Sequence, residues 1–154
     1  MGLFPFFKKQ PLFTKEENDR IVAAIRAGEM RTSGEIRVYI EAKNPYVSPM
    51  DRAMELFVDL NMQKTVHRNG VLLYIAHKHH ELALFADEGI YTIAGKTFWE
   101  DEVRQMIQRF SKDDLAGGVE QCVKDIGDAL HNAFPFMPLE DKNELPDDIV
   151  FGKM

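Results

Sequence analysis

Three imidazoles fall within four residues at His77-Lys78-His79-His80, and two carboxylates adjoin at Asp87-Glu88, just ahead of Gly89. The first group carries transition-metal ligands, while the second carries the oxygens that hard cations such as Ca²⁺ and Mg²⁺ prefer. A structural zinc wants four ligands, and successive residues of a strand point to opposite faces, so only His77 and His79 can share a side. The lone cysteine, Cys122, lies far off in the apolar stripe of a helix, where it reads as a small buried hydrophobe and not as a ligand or nucleophile. The histidines therefore read as a solvated turn, and His131, near a helix C-terminus, as structural.

The acids are the better site. Asp87 closes an apolar strand, Gly89 would permit a positive φ in the turn after it, and strand-end loops are where α/β proteins present ligand groups. Glu100 and Asp101, in the first turn of the next predicted helix, and Glu35, at the start of an earlier strand, are further oxygens within reach of that loop. Asp87, Glu88, Glu35, Glu100 and Asp101 are thus the candidate ligands for calcium or magnesium. The competing reading is local: Asp87 braces its own loop, and the helix acids complement the helix dipole. No nucleophile elbow, phosphate-cradling loop, dinucleotide fingerprint or EF-hand loop occurs, so no catalytic residue is assigned.

Hydropathy patterning gives the elements that must position these residues. Thr14-Lys15-Glu16-Glu17 is a capping box, followed by Ile21, Val22, Ile25 and Met30 at helical spacing, with Gly28 weakening the last turn. Gly34 to Glu41 alternates strictly and predicts a strand with one wetter face, near a sheet edge. Ser48-Pro49 opens a second helix with Ala53, Leu56, Phe57 and Leu60 as its buried stripe. Val71 to Ala76 and Leu82 to Ala86 are two apolar runs split by the histidine turn, which predicts a β-hairpin covered on both faces. A flexible glycine-containing stretch leads to a helix capped by Thr97, and a last helix runs from about Asp113 to Pro135. The order helix, strand, helix, strand, strand, helix, helix with a hairpin predicts a three-layer α/β/α sandwich with a mixed central sheet.

The 154 residues suffice for one domain, read here as an aromatic arm over 1–13, a domain over 14–135 and a loosely ordered acidic tail over 136–154. A net charge of −6 argues against a nucleic-acid backbone as partner, and no apolar run is long enough for stable membrane insertion. With one cysteine and no secretory leader, the expected compartment is the cytoplasm.

Thr32-Ser33-Gly34-Glu35-Ile36-Arg37-Val38, Arg68-Asn69-Gly70-Val71-Leu72-Leu73, Ala86-Asp87-Glu88-Gly89-Ile90 and Phe98-Trp99 together resemble the TPM domain family, most closely its soluble, stand-alone bacterial branch. The resemblance runs from about Leu12 to Pro135 and implies an α/β/α sandwich, divalent-cation binding, chiefly calcium, and an acid phosphatase activity ascribed to plant members. By position it places the family's loop on Asp87 and Gly89 and its asparagine on Asn69. The chain departs from the pattern at Ala86, where relatives often have glycine, and at Thr97, where many carry an acid. Three functions follow as expectations: a divalent-cation-binding module, a protein-interaction domain using Phe4, Phe6, Phe7 or a patch near Trp99, and a metal-assisted phosphomonoesterase.

Overall fold

A computed structural model describes residues 11–46, 48–137 and 148–154. The aromatic arm up to residue 10 and most of the acidic tail lie outside the described residues. In chain order the elements are α1 (Lys15–Glu29), β1 (Glu35–Glu41), α2 (Pro49–Asp59), β2 (Gly70–Ala76), β3 (Glu81–Ala86), α3 (Glu88–Ala94), α4 (Lys96–Ser111), α5 (Leu115–Ala133) and β4 (Val150–Phe151). A single 3-10 turn, Met62–Lys64, follows α2. The sheet order is β3-β2-β1-β4, with β1 parallel to β2 and to β4, and β2 antiparallel to β3. This is the mixed sheet with a central hairpin that the patterning predicts.

The period of two decides which layer each side chain serves. Ile36, Val38, Ile40, Val71, Leu73, Ile75, Leu82 and Leu84 face the layer formed by α1, α3, α4 and α5. Leu72, Tyr74, Ala76 and Ala83 face α2 and the 3-10 turn, with Phe57 set edge-on against Phe85 at 4.7 Å between centroids. All seven residues of β2 are buried, as a strand covered on both sides requires. The capping box of α1 forms as read: Thr14 Oγ1 accepts from the amide of Glu17 at 3.1 Å, and Glu17 accepts from that of Thr14 at 2.9 Å. Packing outweighs the cap, because burying a side chain such as Ile21 or Ile25 contributes about 1.5–3 kcal/mol and a cap about 1 kcal/mol. Met30 does not join that stripe; it caps α1 and is exposed.

Four expectations need correction. β1 is not at an edge, because β4 pairs with it through Tyr39–Val150 and Ile40–Phe151. Its polar residues Glu35, Arg37 and Glu41 are consequently buried. Residues 148–154 belong to the sheet, and the amide of Ala42 donates to the carbonyl of Lys153 at 2.8 Å. The stretch after Asp87 is a helix, α3, and α4 begins at Lys96 behind Gly95 (φ +92) instead of being capped by Thr97. Among the described residues no helix is long and apolar enough to cross a membrane.

Candidate functional site

Asp87 stands where β3 passes into α3. As the N-cap of α3 its backbone is extended, and Oδ1 accepts from the amide of Glu88 at 2.8 Å. Its own amide donates to the carbonyl of Gly70 at 2.9 Å, and the amide of Gly89 donates to that of Arg68 at 2.8 Å. The loop before β2 and the cap of α3 are thereby laced together. The side chain is only 4% exposed and so needs a partner, which Arg68 supplies: Nε lies 2.7 Å from Oδ2 and Nη2 2.9 Å from Oδ1. Such paired, charge-assisted bonds are the strong kind. They raise the guanidinium of Arg68 above its ordinary value, and Nη1 also reaches Glu88 Oε1 at 3.2 Å.

Glu35 comes to the same end of the sheet. It pairs with Gly70, and its amide faces the carbonyl of Asn69 at 3.4 Å. Asn69 is fully buried; Nδ2 donates to Ser33 Oγ at 3.1 Å, and Oδ1 accepts no hydrogen bond among the described residues. Three separated segments, Ser33-Gly34-Glu35, Arg68-Asn69-Gly70 and Asp87-Glu88-Gly89, therefore meet at the starts of β1 and β2. Glu100 and Asp101 do not join them. They lie past the first turn of α4, Glu100 exposed and Asp101 paired with Arg104 at 2.5 Å. Among the described residues no three His, Cys, Asp or Glu side chains are disposed to hold a metal ion.

The histidines of the β2–β3 turn each have separate surroundings. His79 Nδ1 accepts from the amide of Asn44 at 3.1 Å, and His80 stacks on Phe110 with centroids 4.7 Å apart. His77 Nε2 is buried and has no hydrogen-bond partner among the described residues. His131 Nδ1 lies 2.9 Å from the carbonyl oxygen of Arg31, tying α5 to the turn after α1. Cys122 is buried, and burial, then Glu102 and Asp125, push its thiol well above the ordinary range.

Sequence reasoning missed two groups. Arg68 precedes Asn69 directly, yet its partner lies nineteen residues on, beyond any local pattern. Glu102 reads as a dipole-complementing acid near the start of a helix capped by Thr97; in α4, which starts at Lys96, it is the seventh residue and is buried against α5. Its signal was its place four residues from both Phe98 and Met106, on the apolar stripe. Burial and the hydrogen bond to Asp125 push its carboxyl up to about 8.

The fold and the three convergent segments define a small, three-layer α/β/α domain with a buried, arginine-paired carboxylate at the strand starts. The chain belongs to the TPM domain family, whose pattern matches residues 7–129. It is similar to the BA42 protein of the psychrophilic bacterium Bizionia argentinensis, at 35% identity over 94% of this chain and 99% of that one, with a TM-score of 0.84. It also shares a fold with the N-terminal domain of the cg2496 protein of Corynebacterium glutamicum, at 14% identity over 77% and 74% of the two chains and a TM-score of 0.62. No curated protein matches the chain.

Proposed function

We propose that the domain is a divalent-cation-binding module in which Arg68 and the cation compete for Asp87. The observation that carries this reading is that a buried carboxylate, adjoined by a second from Glu88, already holds a positive group in a half-exposed position. Arg68 can swing into solvent, whereas Asp87 is fixed by its capping bond. The donors fit a hard ion in exchange for the guanidinium: carboxylate oxygens of Asp87 and Glu88, with the unmatched carbonyl oxygen of Asn69 in the adjoining turn. Glu100 and Asp101 have no part in it. Calcium or magnesium is the class of ion, and the net charge of −6 favours its approach.

The test is calorimetric titration of metal-stripped protein with Ca²⁺ and Mg²⁺. Asp87→Asn keeps a capping side chain but removes the charge, and is expected to abolish saturable binding. Removing the internal competitor by Arg68→Gln is expected to tighten binding by roughly five- to tenfold, since the competent state then needs no opening. Binding that ignores Asp87→Asn would sink the assignment, and an unchanged affinity in Arg68→Gln would remove the competition.

A further inference from the structure

The opposite end of the sheet carries a feature that cation binding does not use. Outside the C-terminal ends of the parallel strands β1, β2 and β4 lies a hollow of about 790 Å³, within the size range of small-molecule sites. Strand order reverses at β1, with β2 on one side and β4 on the other, and crevices at the carboxyl ends of strands beside such a reversal are where open α/β sheets take ligands. Leu12, Phe13, Phe151 and Met154 form apolar walls, and Thr14, Asn18, His77 and Lys78 are polar groups of the lining. The first turn of α1 adds Lys15, whose ammonium pairs with Asp19 at 3.0 Å on the exposed side. Among the described residues no acidic side chain lines the hollow.

Two further observations give the ligand its chemistry. His77 lines the hollow at the C-terminal end of β2, and among the described residues its Nε2 is buried without a hydrogen-bond partner. Burial, then Lys78 and His80, hold this imidazole below its ordinary range, so at neutral pH it is uncharged and able to donate. Phe151 is 45% exposed at the mouth, a large apolar surface that a ligand would cover. We propose that this hollow binds a small amphipathic acid, with an acyl or aryl body between Leu12, Phe13, Phe151 and Met154 and its carboxylate at His77 and Lys78. The positive charge of Lys78 favours an anion over a cationic amphiphile.

The test uses the full chain and dodecanoate below its micelle concentration, followed by amide and methyl NMR shifts and by calorimetry. Saturable shifts confined to Leu12, Phe13, His77, Lys78, Phe151 and Met154 are expected, with dodecyltrimethylammonium binding at least about tenfold more weakly. Lys78→Glu, at an exposed position, should weaken dodecanoate binding by roughly tenfold, and Phe151→Asp by at least as much. Equal uptake of the anionic and cationic probes would reduce the hollow to an apolar surface and overturn the proposal. So would shifts centred elsewhere, or contacts of Phe4, Phe6 or Phe7 with the His77 ring in the free protein, which would make the chain's own arm the occupant. Because Asp87 lies at the other end of the sheet, these results are independent of any cation titration.

Discussion

Gly89→Ala is expected to destabilise the domain by about 4 kcal/mol, a large share of the roughly 5–15 kcal/mol that holds a typical domain folded. A Cβ at this position would lie 2.0 Å from the carbonyl oxygen of His67 and 2.5 Å from that of Arg68. Both obstacles are backbone atoms, held by the bond from Gly89 to Arg68 and by the bond from Asp87 to Gly70, so neither can turn aside as a side-chain end would. Relief requires the loop before β2 to move away from α3, which also pulls Arg68 off Asp87. The control is Gly95→Ala: its backbone at φ +92 and ψ 144 is costly for alanine, yet among the described residues nothing lies within 4 Å of the added carbon, so the cost is about 1–3 kcal/mol of backbone strain. Urea denaturation of the two variants beside the wild type measures the difference. A Gly89→Ala cost no larger than that of Gly95→Ala would mean that the loop and α3 do not pack as closely as described.

The same glycine shows where reading the sequence runs out. Its importance was legible from its place behind Asp87, but the reason expected, a positive φ, is wrong: Gly95 is the glycine in that region, and Gly89 is needed for space in the first turn of α3. Periodicity is a local signal, and what it could decide was decided well: the hairpin, the capping box, and the helices on both faces of β2. Partners far apart in the chain left no such trace. The wet face of β1 is buried because residues more than a hundred positions away pair with it, and because Glu41 is met by Arg52 at 2.8 Å and by the hydroxyl of Tyr74 at 2.5 Å. Asp87 was legible as a site, whereas Arg68 as its counter-ion was not. Glu100 and Asp101 read as first-turn acids only with Thr97 as the cap and Phe98 as the first helical residue; α4 begins two residues earlier, at Lys96, which puts both past its first turn.

Glu102 supplies the strongest pH dependence expected of this fold. Glu102 is 5% exposed between α4 and α5 with the carboxyl of Asp125 beside it, and both burial and a neighbouring carboxyl favour its protonated form. Desolvation is the larger cause of the upward shift and the Asp125 bond the next; the Cys122 thiol, through its own hydrogen bond, opposes it, and the charge of Asp101 adds to it. A carboxyl whose folded value is raised binds its proton more tightly in the folded chain than in the unfolded one. Its stabilising contribution is therefore fully present below the ordinary value of 4.5 and is lost as pH rises toward about 8. Within that window the contribution falls by about 1.4 kcal/mol per pH unit. Glu102→Gln reproduces the shape and donor capacity of the protonated acid without its titration, so the variant should be the more stable protein above neutrality, by about 1–3 kcal/mol at pH 8. Urea midpoints of both proteins from pH 4 to 9 isolate the effect, because every other titrating group is common to the two and cancels in the difference. A difference that stays flat with pH would show that Glu102 ionises normally; a difference that grows with pH at the stated slope would show that its carboxyl keeps its proton at the α4–α5 interface near neutrality.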